Sequence, residues 1–228
     1  MTTELTVSGL AGHIDHSYLK PDATESDLAR ICDEAVQWRF AAVAVNSGQV
    51  TLCAKRLEGS DVSLSGAVGF PLGQVDTAVK VFEAERAVDQ GATEIDFCIN
   101  VGQLKSGRTL YVEHEINELA AVCRDRALCK VILETCYLSD DEKRQVIRMA
   151  VEAGADFVKT STGMGPGGAT MPDVLLMRSL ARGQCQIKAA GGIRTLDQAL
   201  AFIDAGASRL GTSHSVAIME SAKQVLPA

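Results

Sequence analysis

The fold of this chain is decided by the stretch GADFVKTSTG at residues 154–163. A helical pattern ends at Gly154, a short apolar run follows, and the run delivers Lys159 in front of hydroxyl side chains and a glycine. Ligand sites of α/β folds lie at the carboxyl ends of their parallel strands. The stretch therefore predicts a strand that presents an amine to a binding site, although an isolated lysine is more often a buried stem that reaches solvent.

Two further stretches, GATEID at residues 91–96 and GASRLG at residues 206–211, begin in the same way. The sixth residue from each starting glycine is Asp96, Lys159 or Gly211. Inward layers of a barrel draw on alternate strands, so equivalent alternate strands would hold these three positions at one height in its interior. An aspartate and a lysine would then face a glycine, which leaves room for a substrate.

The rest of the chain alternates short apolar runs with amphipathic helical patterns. Eight such units of roughly 25–35 residues, without a linker between halves, predict a single-domain (β/α)8 TIM barrel over residues 1–228 with an additional N-terminal helix ending near Gly12. A doubly wound open sheet is the alternative, but no G-x-G-x-x-G follows the first strand. The predicted strands are 13–18, 41–45, 62–68, 93–100, 130–133, 156–159, 186–189 and 209–212.

Helix starts are marked by Ser or Thr followed three residues later by an acidic or amide side chain, as in the capping box. Such patterns begin at Thr24, Ser139 and Thr195, and Thr170 can cap a helix that carries Pro172 in its first turn. Large apolar side chains at helical spacing predict further helix faces and core positions. Among these are Val75, Ala78, Val79 and Phe82 on one helix, and Trp38 and Phe202 on others.

Composition excludes several classes of protein. The chain has 228 residues, 46% of them hydrophobic, which suffices to bury roughly 70% of the unfolded surface in one domain. A net charge of −7 without a basic run argues against nucleic-acid binding. No apolar run approaches the roughly 20 residues of a membrane span, and residues 1–12 lack a signal-peptide pattern. We expect a cytoplasmic protein that binds neither nucleic acid nor membrane.

The seven cysteines form no C-x-x-C pair and are odd in number, which is typical of reduced thiols used as small apolar residues rather than of disulfides or a zinc site. The acidic clusters at 22–27 and 140–142 lack histidine partners and fit solvated first turns of helices. We therefore expect no metal. The cysteines are Cys32, Cys53, Cys98, Cys123, Cys129, Cys136 and Cys185.

Glycines and hydroxyls follow the seventh and eighth predicted strands, in KAAGGI at 188–193 and GTSH at 211–214. In such barrels these two loops commonly bind phosphate through backbone N–H groups and a helix N-terminus. The pattern predicts a phosphorylated small molecule as ligand. The alternative is that Gly191 and Gly192 are only turn and cap residues.

A second lysine, Lys188, is expected near Lys159. A free lysine is almost entirely protonated at neutral pH, but a nearby ammonium and a low-dielectric site favour the neutral amine. A neutral amine attacks carbonyl carbons and forms Schiff bases. The lysine pair therefore predicts covalent catalysis by an amine.

Six blocks of the chain together resemble the signature blocks of the deoxyribose-phosphate aldolase family, in the family's order and across nearly the whole chain. The resemblance implies a (β/α)8 class I aldolase that reversibly cleaves 2-deoxy-D-ribose 5-phosphate to acetaldehyde and D-glyceraldehyde 3-phosphate, without a metal or cofactor. The blocks are IDHSYLKPDAT at 14–24, VGFPLG at 68–73, EID at 94–96, KVILET at 130–135, FVKTSTG at 157–163 and KAAGGIR at 188–194.

The resemblance also implies roles for individual residues. Gly211 is added to the predicted substrate-binding residues because its position in the inward layer leaves room for a substrate. The implied roles are Lys159 as the Schiff-base lysine, Lys188 as the lysine that keeps it neutral, Asp96 as the carboxylate that relays protons through a water, Asp15 as part of the same polar network, Gly191, Gly192 and Ser213 as phosphate contacts, and Thr162 as part of the substrate loop.

The chain departs from some family members at four places, which bear on phosphate preference and proton transfer. His214 replaces a further serine, Met164 replaces a lysine, Ala44 replaces a frequent cysteine, and the C-terminus at 224–228 lacks a tyrosine. Two alternatives stay open: another Schiff-base aldolase that acts on a different sugar phosphate, and a phosphate-binding barrel without catalysis. Barrels of this type often pair, so we expect a homodimer or other homo-oligomer.

Overall fold

The computed structural model describes residues 5–227, in which eight parallel strands close into one barrel. The strands follow one another around the barrel in chain order, and the last pairs with the first. The predicted (β/α)8 barrel is confirmed and the open sheet is excluded. The strands are β1 Ile14–Tyr18, β2 Ala42–Asn46, β3 Ser63–Val68, β4 Glu94–Cys98, β5 Leu128–Ile132, β6 Phe157–Lys159, β7 Gln186–Ala190 and β8 Arg209–Thr212.

Helices connect the strands, and an additional helix precedes the first strand as predicted. The sequence prediction missed α5, a single turn after β4 in which the side chain of Asn100 accepts a hydrogen bond from the N–H of Gln103. The helices are α1 Val7–Ala11, α2 Glu25–Trp38, α3 Val50–Leu57, α4 Thr77–Asp89, α5 Val101–Lys105, α6 Thr109–Cys123, α7 Asp140–Glu152, α8 Met171–Ala181, α9 Leu196–Asp204 and α10 Ser215–Ala222.

The predicted helix starts are confirmed. Thr24, Ser139 and Thr195 each form a complete capping box with the residue three positions on, and Thr170 caps α8 with Pro172 in its first turn. These caps satisfy N–H groups that the first helical turn leaves without partners. Among the described residues, no helix combines the length and hydropathy that a membrane span requires.

The apolar core lies between the strands and the surrounding helices. Side chains such as Val43, Ile95 and Val131 point outward from the strands into this layer and are fully buried. Alternate strand positions point into the barrel, and several of these are charged. Branched apolar side chains usually fill a barrel interior. The charged interior therefore marks the barrel axis as the place of function.

One predicted core face is wrong. Val75, Val79 and Phe82 are 41%, 51% and 63% exposed, and Trp38 is only partly buried, whereas Phe202 is buried as predicted. The inner face of α4 consists of small side chains and Lys80, whose Nζ lies 2.5 Å from Glu115 of α6. The helical spacing was identified correctly, but spacing alone does not say which face of a helix meets the core.

Candidate active site

Three predicted residues meet inside the barrel at one carboxylate oxygen. Oδ2 of Asp96 accepts hydrogen bonds from Nζ of Lys159 at 2.7 Å and from Nζ of Lys188 at 2.6 Å. The two lysines are direct partners in the pairing of β6 with β7. Their nitrogens are therefore no farther apart than the sum of those two distances. All three side chains are buried, and Lys159 is the only one of the three that lines the cavity described below.

Asp15 of β1 belongs to the same hydrogen-bonded cluster. Its Oδ2 lies 2.5 Å from Nζ of Lys188, and its Oδ1 accepts a hydrogen bond at 2.5 Å from Arg209 at the start of β8. Burial on its own raises a carboxyl pKa, but Lys188, Lys130 and Arg209 outweigh it and hold the pKa of Asp15 below its usual range. Asp15 is therefore an ionised partner of Lys188.

Sequence reasoning missed three charged members of this network. Lys130 of β5 donates to Oδ1 of Asp96 at 2.7 Å and also bonds Glu94 of β4, while Arg209 donates to Glu94 at 3.0 Å. The alternation of strand side chains could have found two of them. Glu94 precedes Asp96 by two residues and Arg209 precedes Gly211 by two, so each shares the inward face of its strand.

Asp96 has every acceptor position occupied. In addition to the three lysines, Oγ of Ser65 donates to its Oδ1 at 2.7 Å. Burial would raise the pKa of Asp96, but the ammonium groups of Lys130, Lys159 and Lys188 dominate and hold that pKa well below its usual range. Asp96 is therefore an ionised carboxylate that accepts hydrogen bonds from the lysine amines, rather than a carboxylic acid.

The lysines of the network differ in their tendency to lose a proton. Burial lowers the pKa of Lys188, an effect that Asp15 and Asp96 oppose and that Lys130 and Lys159 reinforce. Burial also acts against the ammonium of Lys130, but Asp96, Asp15 and Glu94 outweigh it and raise the pKa of Lys130. Lys130 is therefore the fixed cation of the network.

Charge balance favours one neutral amine in this network. Four bases, Lys130, Lys159, Lys188 and Arg209, face three carboxylates, Asp15, Glu94 and Asp96. An uncompensated charge in a buried site is costly, so the network is most stable when one base is uncharged. Lys159 and Lys188 share one acceptor oxygen, Oδ2 of Asp96, so both amines depend on the same carboxylate.

A cavity of about 570 Å³ opens from Lys159 toward the carboxyl ends of β6, β7, β8 and β1. All of the predicted substrate and phosphate positions line it, namely Thr162, Gly191, Gly192, Gly211 and Ser213. Three further cations, Lys20, Arg30 and Arg194, line it as well. Among its described lining residues there is no carboxylate, although the chain as a whole carries a net charge of −7. The cavity is therefore suited to an anion.

The glycines of this cavity have structural reasons to be glycine. Gly191 and Gly192 have φ values of 91° and 81°, in the left-handed region, so they are turn residues that also line the cavity. A Cβ at Gly211 would lie 2.9 Å from Cβ of Ala190 and 3.2 Å from Cε of Lys188. Gly211 therefore leaves space for both the neighbouring strand and the lysine.

Thr162 is fixed by a buried carboxylate at the end of β5. Its N–H donates to Oε2 of Glu134 at 3.2 Å, and its hydroxyl donates to the same oxygen. Glu134 itself has a left-handed backbone, with φ of 54°. This bond anchors the glycine-rich loop 160–170 above Lys159.

The positions that depart from the family pattern divide into two groups. Met164 and His214 line the cavity, with Nδ1 of His214 lying 3.3 Å from Oγ of Ser213. Ala44 is buried within β2, whereas the C-terminal segment includes Ala228, which lies outside the described residues. In residues 5–227, no group of three or more His, Cys, Asp or Glu side chains is arranged to hold a metal ion.

Comparison with known proteins gives one consistent result. Residues 10–218 match the model of the DeoC/LacD family of aldolases. A deoxyribose-phosphate aldolase of Bacteroides thetaiotaomicron is 51% identical over 97% of this chain and 93% of its own length. The aldolase of that name from Thermococcus gammatolerans is 51% identical over 94% and 96% of the two chains.

Solved structures agree with these relatives. The tetrameric deoxyribose phosphate aldolase of Aeropyrum pernix is 33% identical, covers 97% of this chain and 94% of its own, and superposes with a TM-score of 0.90. A putative deoxyribose-phosphate aldolase of Coccidioides immitis is 37% identical over 96% and 87% of the two chains, with a TM-score of 0.92. The similarity therefore extends over the whole barrel.

Proposed function

The chain belongs to the DeoC/LacD family of aldolases, and from this premise we propose that it cleaves 2-deoxy-D-ribose 5-phosphate reversibly to D-glyceraldehyde 3-phosphate and acetaldehyde. It is a carbon–carbon lyase, in agreement with the names of relatives that share about half of its residues. The observation that carries the mechanism is the Nζ of Lys159, which lies at the floor of an anion-suited cavity and shares a carboxylate oxygen with a second lysine.

The first step is attack of the Lys159 amine on the aldehyde carbon of the open-chain sugar. Neutral amine forms when the Lys159 and Lys188 pair gives up one proton, which charge balance in the buried network favours. The carbinolamine then loses its hydroxyl as water and becomes an iminium. Asp96 accepts both amine hydrogen bonds, and it relays protons to and from this centre through a water molecule.

Cleavage uses the iminium as an electron sink. Removal of the proton from the hydroxyl two carbons away turns that hydroxyl into the carbonyl of glyceraldehyde 3-phosphate. The electron pair of the broken C–C bond moves into the iminium and gives an enamine of acetaldehyde on Lys159. Protonation of the enamine carbon and hydrolysis of the resulting iminium release acetaldehyde and restore the amine.

The phosphate binds where β7, β8 and β1 end. The left-handed turn at Gly191 and Gly192, the hydroxyl of Ser213 and the start of α10 meet there, and Lys20 and Arg194 add positive charge. N–H groups in the first turn of a helix point toward its N-terminal end and favour an anion there. This arrangement places the reacting carbonyl at Lys159 with the phosphate at the mouth of the cavity.

Borohydride trapping tests the covalent step. With acetaldehyde present, reduction is expected to attach a two-carbon group to the peptide that carries Lys159, as read by mass mapping. The Lys159→Leu variant is expected to lose both the adduct and turnover of the sugar phosphate, whereas Lys223→Leu, which changes an exposed lysine on the same chain, retains both. An adduct that persists in Lys159→Leu would refute the assignment.

We also propose that the enzyme is a homo-oligomer that uses the exposed face of α4 together with the loop that precedes it. Val75, Val79 and Phe82 continue with Leu72, which is 76% exposed, as one apolar surface. Large exposed apolar patches mark protein contacts. Phe82→Asp is expected to lower the mass measured by light scattering, whereas Leu110→Asp, at a residue that is 79% exposed on α6, leaves it unchanged. Cytoplasmic localisation stays a prediction that cell fractionation tests.

A further inference from the structure

A second hydrogen-bonded network lies just outside the barrel and involves His16, which follows Asp15 on β1 and points to the opposite face of the strand. His16 is only 4% exposed. Its Nδ1 lies 2.9 Å from Oγ of Ser215, the first residue of α10, and its Nε2 lies 2.8 Å from Oε2 of Glu34 on α2. His16 therefore ties the start of α10 to β1 and α2.

The network holds three hydrogen bonds that need three protons. Besides its contact with His16, the hydroxyl of Ser215 donates to the carbonyl oxygen of Thr212 at 3.2 Å. The serine supplies one proton, so His16 and Glu34 together must supply two. An imidazolium with a carboxylate meets this count. If the imidazole is neutral and Glu34 is a carboxylate, the hydroxyl of Ser215 can donate either to His16 or to Thr212, but not to both. One of the three hydrogen bonds is then lost.

The surroundings of His16 favour the neutral imidazole over the imidazolium. Burial lowers the pKa of His16, an effect that Glu34 opposes and Arg30 reinforces. Within residues 5–227, the charged groups that face the ring are these two side chains of α2; Val43 of β2, Thr212 of β8 and Ser215 of α10 are uncharged neighbours, and the ring of Phe40 packs against it at 5.3 Å. A nearby anion would shift this balance toward the imidazolium.

His16 is also among the residues that line the cavity assigned to the phosphorylated substrate, as are Thr212, Ser213 and His214 in the turn that leads into α10. The turn is held on one side by Oγ1 of Thr212, which accepts from N–H of His214 at 2.9 Å and donates to Ile193 at 2.7 Å. On the other side it is held by Ser215 and hence by His16. A change in the protonation of His16 therefore alters the hydrogen bonds that hold the turn where the phosphate binds.

We propose that His16 is a positioning residue of the phosphate subsite, which takes up a proton when the phosphorylated substrate binds and thereby fixes Ser215 and the first turn of α10. This inference rests on the proposed function, because it assigns the phosphate to the turn before α10. It makes substrate affinity depend on a group that does not touch the reacting carbonyl.

Titration of the four histidines by NMR tests the proton uptake directly. Inorganic phosphate is the probe, and the signals of His16 are identified by their loss in His16→Asn. Saturating phosphate is expected to raise the pKa of His16 by about one unit relative to sodium chloride of equal ionic strength. The exposed ring of His114 on α6 serves as internal reference. Equal titration of His16 in both salts would overturn the inference.

Kinetics separate positioning from a merely structural role. Ser215→Ala is expected to raise KM for the sugar phosphate by about three- to tenfold, while kcat changes less than about twofold, because one hydrogen bond at the phosphate end is lost. Ser221→Ala is the matched control, since that hydroxyl bonds only to Ala217 of its own helix in the described chain. A fall in kcat of about three- to tenfold with unchanged KM would contradict the assignment.

The dependence of KM on pH tests whether protonation of His16 strengthens substrate binding. Because burial lowers the pKa of His16 from its ordinary value of about 6.5, the wild-type ring gains its proton as the pH is lowered from about 7 to about 5, whereas His16→Asn cannot gain one. The ratio of KM in His16→Asn to KM in the wild type is therefore expected to rise over this interval; titration of the substrate phosphate cancels in the ratio. A flat ratio refutes the proposal, and Glu34→Gln provides the same test if His16→Asn does not fold. Absence of any cleavage by the wild type would instead refute the proposed function, while the phosphate titration by NMR would still decide the role of His16.

Discussion

Replacement of Asp96 by asparagine tests the charge balance inside the barrel. The substitution keeps the size of the side chain but removes one of three carboxylates that face four bases. The amide also carries two hydrogens that Lys130, Lys159 and Lys188 cannot accept while they are protonated. The variant therefore leaves two charges in excess in a region where the side chains are almost completely buried.

The expected cost follows from burial. Removal of one partner of a buried ion pair destabilises a protein by about 3–5 kcal/mol, out of a total stability of about 5–15 kcal/mol. For a chain of this length, that corresponds to a fall in Tm of about 6–20 °C. The deficit is expected to shrink as the pH rises toward about 10, because a lysine whose folded-state pKa lies below its unfolded value binds fewer protons in the folded state, so stability rises with pH.

A double variant distinguishes charge balance from lost packing. Lys188→Met removes the excess base and leaves three bases facing three carboxylates, so alone it is expected to cost about 1–3 kcal/mol, from the hydrogen bonds that Asp15 and Asp96 lose. Combined with Asp96→Asn it restores the original excess of one base over the carboxylates. The double variant should then be no less stable than Asp96→Asn, which corresponds to an interaction free energy of about 1–3 kcal/mol in magnitude.

Urea unfolding followed by circular dichroism measures these differences, with a common m-value as evidence that the same surface unfolds. Asp89→Asn provides the control, because Asp89 and Arg126 form an exposed pair at 2.6 Å whose loss should cost less than about 1 kcal/mol. Additive losses in Asp96→Asn and Lys188→Met, within about 0.5 kcal/mol, would refute the charge-balance reasoning.

Three further predictions follow from single features of the structure. Gly211→Ala is expected to destabilise the barrel by about 1–3 kcal/mol and to lower kcat, because the new Cβ lies 2.9 Å from Cβ of Ala190 and presses on Lys188; unchanged kinetics would contradict this. Cys136 is the one cysteine of residues 5–227 that is exposed, so one thiol of seven should react rapidly with a disulfide reagent. Cys136→Ser should abolish this rapid reaction. Burial raises the pKa of Cys98 to about 12, which leaves that thiol inert. Because Asp15 has a folded-state pKa below its unfolded value of about 3.9, its contribution is complete above that pH and is lost as the pH falls, so Asp15→Asn should flatten the acid limb of the stability curve measured in urea.

The sequence was most informative where chain geometry repeats. The glycine that starts each of three stretches fixes a common register, and this register was enough to predict that Asp96 and Lys159 share the barrel interior. Capping boxes at Thr24 and Ser139 are equally local, since donor and acceptor lie three residues apart. Such features depend on neighbouring residues and not on packing between distant parts of the chain.

The parts that sequence reasoning missed depend on contacts between strands. Lys130 belongs to the site because β5 is paired with β4, and this pairing places it opposite Asp96. Nothing within the KVILET block distinguishes such a lysine from one that reaches solvent. The exposed side of α4 was misassigned for a related reason, because its inner face relies on an ion pair between Lys80 and Glu115 on a different helix.

The buried charges link the stability of the fold to the reactivity of the site. A barrel filled with Asp15, Lys130 and Lys188 gains little hydrophobic free energy from its interior, so its stability must come from the apolar layer between strands and helices. That layer allows the interior to keep an excess of one base, which an apolar interior would not contain. The excess is what favours a neutral amine at Lys159 or Lys188. Reactivity and the electrostatic cost of the fold therefore arise from the same side chains, and no substitution among them is expected to change one without the other.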